Sequence, residues 1–135
     1  MLPPRPTSVE LAAAILIVAG VIGVLTALGA WLSGSTDPFL WLGVALNAGS
    51  IALGVATRVG RIWLVTLNYA AVLAFLDLLG SSSSVPALMI GVTELVVVVI
   101  LLLRKPWFDA VAEARASWTA RDQPLTPPTA RPPIR

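Results

Sequence analysis

VPALMIGVTELVVVVILLL, residues 85–103, holds thirteen Leu, Ile or Val side chains and a single ionisable group, Glu94. Its core, Val96-Val97-Val98-Val99-Ile100, is apolar on every side of any regular structure it could form. A half-buried strand would alternate, and a fully buried soluble strand would be shorter. A run of this length is long enough to cross a bilayer, and it crosses as a helix because the backbone polar groups must be satisfied within the segment. An ionised group at the centre of such a helix costs roughly 2.5–3.5 kcal/mol on insertion scales. The aliphatic side chains contribute about 0.3–0.6 kcal/mol each near the centre, and together they outweigh it. The segment therefore inserts, with Glu94 turned inward or protonated.

Three earlier stretches share this character: residues 11–32, 39–56 and 62–79, whose polar interruptions are Thr26; Asn47 and Ser50; Thr66, Asn68 and Asp77. The links between the four are short. Ser33-Gly34-Ser35-Thr36-Asp37-Pro38 is rich in turn formers, with Pro38 placed to start the second helix. Thr57-Arg58-Val59-Gly60-Arg61 is a tight basic link, and Ser81–Ser84 a small polar loop. Short links force successive helices to be antiparallel neighbours. The expected fold is all-α: an integral-membrane, antiparallel up-down bundle of four transmembrane helices.

Around this domain (11–104) the sequence predicts a cytoplasmic segment at 1–10, an amphipathic interfacial helix at 105–122 and a Pro-rich disordered tail at 123–135. Pro106 suits a first helical turn, and Trp107, Val111, Ala114 and Trp118 recur at helical spacing. Two dispositions fit 105–122: flat along the inner leaflet, or a solvated continuation of the fourth helix.

The composition excludes much. Of 135 residues, 57% are hydrophobic and 12% charged, with mean hydropathy +0.88, against about 25% charge in soluble domains. There is no cysteine or histidine, which removes disulfides, thiol chemistry, zinc clusters and His-based acid–base catalysis. With no clustered carboxylates either, neither a nucleophile–base pair nor a metal site can be assembled. The expectation is a non-enzyme without catalytic residues, cofactor or metal. A net charge of +2 gives no reason to expect a nucleic-acid partner.

Cationic residues favour the cytoplasmic side. Arg5, Arg58, Arg61 and everything basic from Arg104 onward fall on one side of a four-span arrangement, and the 33–38 and 80–84 links carry none. Both termini are therefore expected in the cytoplasm of a multi-pass plasma-membrane protein. Trp31, Trp41, Trp63, Trp107 and Trp118 all lie near expected boundaries, where amphipathic rings anchor.

Polar groups inside the spans are the only candidates for chemistry. Asn47 and Glu94 each sit about ten residues from the cytoplasmic ends of their segments, roughly 15 Å deep at 1.5 Å per residue. A Glu94–Asn47 contact is expected, with Thr26 or Asn68 beside it. Small residues share these stripes: Ala19, Gly23 and Ala30 in the first segment, Gly43 and Gly54 in the second, Ala87 and Gly91 in the fourth. They allow close helix approach, and polar neighbours hydrogen-bond across. Asp77 lies near the far end of its segment, within reach of headgroups or the serine loop. It is nine residues from Asn68, which puts the two on opposite faces of one helix. That disposition hints at a homo-oligomeric contact, or at Asp77 lying outside the hydrocarbon; the expected partners are the lipid bilayer and a homo-oligomer or membrane-protein partner.

The Arg5-Pro6-Thr7-Ser8-Val9 start with Gly20 and Gly23, and the Leu102-Leu103-Arg104-Lys105-Pro106-Trp107-Phe108 exit, resemble those of small four-span bacterial inner-membrane proteins whose families are uncharacterised. That resemblance, over residues 5–108, implies no catalytic or binding residue. The four spans are also similar to the small multidrug-resistance exporters, which use a glutamate within the first span. Here Glu10 stands at the mouth of the first segment, and the deep carboxylate is Glu94 in the fourth. The leading expectation is a structural or accessory membrane component; the alternative is a small proton- or cation-coupled transporter using Glu94.

Overall fold

The computed structural model describes residues 2–80 and 85–121. Over these residues the chain forms five α-helices and no strand: α1 (Thr7–Leu32), α2 (Leu40–Arg58), α3 (Trp63–Gly80), α4 (Val85–Leu103) and α5 (Lys105–Arg121). The serine loop at 81–84 and the Pro-rich stretch 123–135 lie outside the described residues. Helices α1 and α2 are long and apolar enough to cross a membrane; α3 and α4 carry the shorter apolar stretches Trp63–Leu79 and Leu88–Leu103.

Helix α1 begins four residues before its apolar run. Pro6, extended in backbone, precedes it and accepts from the Val9 and Glu10 amides at 3.0 and 3.3 Å. Proline supplies no N–H of its own, so it suits the edge of a helix. The start of α2 is set by Asp37 as much as by Pro38. The Asp37 carboxylate accepts from the Phe39 amide at 2.9 Å, and its carbonyl accepts from Leu40 at 3.2 Å.

Glycine brings α1 and α2 together. Gly20 faces Asn47 and Ile51, and Gly54 faces Ala13 and Ile17; the numbers run in opposite senses, so the helices are antiparallel. Helices α3 and α4 form a second antiparallel hairpin, with Gly91 against Leu78 at one end. At the other, the Trp63 indole N–H donates to the Leu101 carbonyl at 2.8 Å. The hairpins meet chiefly through α1 and α4, and less through α2 and α3.

The apolar core lies toward one end, that of Arg5, Arg58, Arg61 and Arg104. Val9, Ala12 and Leu16 of α1 pack there with Ala70 of α3, Val97 and Leu101 of α4, and Phe108 of α5. Elsewhere large apolar side chains face outward, among them Val21, Leu25, Val72 and Phe75. Only 22% of the most apolar stretch of α1 is buried, and 17% of that of α2.

A break at Arg104 separates α5 from α4, so α5 is not a straight continuation of the fourth helix. The chain turns at Arg104 and α5 docks on the basic end, with Phe108 and Val111 buried. The Trp107 indole donates to the Pro4 carbonyl at 2.9 Å, and Arg115 caps the end of α2 by donating to the carbonyls of Val59 and Gly60. Trp118, on the same helical spacing as Trp107 and Val111, is exposed, and Phe108 is buried. The reason is Gly60: at φ +66° it turns the chain tightly, and a Cβ there would stand 2.9 Å from Val111 and 3.1 Å from the Trp107 ring.

Candidate functional site

Away from the basic end the two hairpins part, and a cavity of about 940 Å³ lies between them. Its walls are mostly aliphatic, from Ile15, Ile22 and Leu46 to Leu73 and Ile90. The polar groups that reach it come from all four long helices and the first link, among them Thr26, Ser35, Asp37, Asn47, Asp77 and Glu94. A large apolar cleft with a few convergent polar groups is the usual form of a small-molecule site.

Among the described residues Glu94 is the most enclosed ionisable group, 7% exposed. Its α4 stripe, Gly91-Glu94-Val97-Leu101, is buried throughout, and Gly91 lets α3 approach closely enough for Leu78 to lie against it. This sets the register that brings the Asp77 and Glu94 carboxyls within hydrogen-bonding reach. The Oε2 atom of Glu94 is buried without a hydrogen-bond partner. Two facing carboxyls can share one proton, or hold one cation once that proton has left.

Of the four polar residues expected to cluster, three line this cavity and one does not. Asn47 is half-buried against Gly23, and its amide donates to the Gly43 carbonyl at 2.8 Å. No hydrogen bond joins Asn47 to Glu94, and the carboxyl that acts on Glu94 is that of Asp77. Thr26 lines the cavity from an exposed position and donates to the Ile22 carbonyl at 2.9 Å. Asn68 is exposed, outside the cavity, and donates to the Leu64 carbonyl at 2.8 Å. The nine-residue offset from Asp77 is the cause: the face that carries Asp77 inward carries Asn68 outward.

One contributor is not singled out by the sequence. Tyr69 bridges the sparse α2–α3 seam: its hydroxyl donates to the Leu46 carbonyl and lies 3.3 Å from Ser50 Oγ. A signal existed, since it is the chain's only tyrosine and sits well inside an apolar segment, whereas the tryptophans sit at the ends. Asp77, which the sequence puts within reach of headgroups or the serine loop, lines the cavity.

The tryptophans divide between the two ends. Trp31 and Trp41 stand 6.1 Å apart at the far end. Trp63 and Trp107 are engaged at the basic end, with Lys105 Nζ 5.6 Å above the Trp63 ring. Among the described residues no three His, Cys, Asp or Glu side chains gather as a metal site would need. No family model matches the chain, and no curated protein or solved structure shows significant similarity to it.

Proposed function

We propose that this chain is a four-span integral membrane protein of the plasma membrane, with both termini cytoplasmic. It acts without catalysis, as a small carrier that exchanges protons for a cation in the cavity between its hairpins. The observation that carries the reading is the meeting of Asp77 and Glu94 at the wall of that cavity. The aliphatic lining suits a cation with apolar substituents.

Outward-facing aliphatic side chains on all four long helices support the membrane setting, because water-soluble monomers rarely expose continuous apolar surface beyond a few hundred Å². Placement of Arg5, Arg58, Arg61 and Arg104 at one end supports the orientation. The closed basic end and the cleft at the other correspond to a state open away from the cytoplasm.

The test uses proteoliposomes loaded with a pH-sensitive dye and pulsed with tetraalkylammonium ions of increasing chain length. Proton release coupled to uptake, abolished in Glu94→Gln with folding intact, is the expected result. Unchanged flux with a lower melting temperature refutes the carrier and leaves the structural or accessory component. That second reading is favoured by the exposed Val65, Val72 and Phe75 of α3, a flank on which another membrane helix could pack. Topology is tested separately: the chain has no cysteine, so Ser35→Cys and Arg61→Cys should label from opposite sides.

A further inference from the structure

At the basic end a smaller recess of about 260 Å³ is formed by Leu2, Pro3, Arg5, Arg58, Val59, Trp107, Val111 and Arg115. Its guanidinium groups come from three separate places: the segment before α1, the end of α2, and α5. One carboxylate answers them. Glu10 takes Arg5 at 2.7 Å through one oxygen and Arg58 through the other, while Arg115 spends its bonds on the neutral carbonyls of Val59 and Gly60. Three cations against one anion leave the recess doubly positive. Each guanidinium has five N–H donors, so donors remain for a further acceptor.

We infer that this recess binds the phosphate of an anionic phospholipid headgroup. The inference rests on the membrane setting proposed above and is independent of the carrier reading. Guanidinium forks match phosphate oxygens in geometry and charge, and basic pockets on the cytoplasmic side of membrane helices hold anionic headgroups. The apolar members of the recess decide between a lipid and free phosphate. Leu2 and Val59 are both about half exposed (45%), and Trp107 adds an amphipathic ring. A free phosphate ion has no use for these, whereas a glycerol backbone and the first acyl methylenes do. Bound headgroup would bridge the N-terminal segment, α2 and α5, so it would also hold α5 on the basic end.

The experiment places the full chain in nanodiscs of phosphatidylcholine alone and of phosphatidylcholine with phosphatidylglycerol. Melting temperature is measured in each, with and without 10 mM inorganic phosphate, and bound lipid is counted by native mass spectrometry. Anionic lipid is expected to raise the melting temperature and to remain bound at about one copy per chain. Arg58→Gln should weaken that retention at least tenfold. Arg61→Gln, a neighbouring arginine outside the recess, should leave it unchanged.

Equal losses in the two variants would reduce the effect to general surface charge and overturn the site. Stabilisation by inorganic phosphate equal to that by lipid would overturn the lipid as ligand. A chain that enters the discs yet shows no preference for anionic lipid refutes this inference alone. One that stays soluble outside them refutes the membrane setting itself.

Discussion

Replacing Gly20 by Ala tests whether the glycine seam sets the spacing of α1 and α2. A Cβ at Gly20 would stand 2.5 Å from the Asn47 carbonyl oxygen, 2.7 Å from Ile51 Cγ1 and 3.1 Å from the Ile51 nitrogen. Two of these neighbours are backbone atoms and cannot rotate away. Restoring the ordinary 3.4 Å from 2.5 Å requires the helices to part by about 0.9 Å at this level. Overpacking of this kind costs about 1–3 kcal/mol, and alanine recovers at most about 1 kcal/mol through helix propensity. The net expectation is a loss of about 1–2 kcal/mol, seen as a fall of roughly 4–10 °C in melting temperature. Thermal unfolding in detergent, followed by circular dichroism, measures it. Gly29 is the internal control: a Cβ there meets nothing within 4 Å, so Gly29→Ala should hold or raise the melting temperature. A Gly20→Ala protein as stable as the parent, or a Gly29→Ala protein that falls equally, would refute the seam.

The remaining predictions concern the basic end. Gly60→Ala combines a left-handed backbone position (φ +66°) with contacts to Val111 and Trp107; it should cost about 1–2 kcal/mol of strain and speed hydrogen exchange of α5 amides relative to α1. Unchanged exchange in 105–121 would show that α5 is held without this turn. Leu101→Ala, at a fully buried position, should lose about 2–5 kcal/mol, while Leu103→Ala, 73% exposed, should stay within about 0.5 kcal/mol in detergent. Equal losses at the two positions would misplace the core. Trp63→Phe removes the indole N–H that the Leu101 carbonyl accepts and should cost about 1 kcal/mol, visible as a lower melting temperature; no change would discount that bond.

What the sequence determined alone is the set of helices and their polarity. The run at 85–103 coincides with α4, and the second and third apolar segments differ from α2 and α3 by one or two residues, because apolar length is a local property of consecutive side chains. The gathering of arginines at one end was legible for the same reason: short links leave successive helices little choice but to reverse. Local reading could not fix helix rotation and depth relative to neighbours. Equal counting from the helix ends set Asn47 level with Glu94, yet Gly91 and Leu78 fix the α3–α4 register that gives Glu94 its neighbour in Asp77. The placement of α5 was hidden likewise. Its stripe fits more than one apolar surroundings, and the choice was made by contacts more than forty residues distant, with Gly60, Val59 and Pro4. Contacts of that range exist only once the helices have packed, which is why tertiary structure alone decided the acid pair, the cavity and the docked helix.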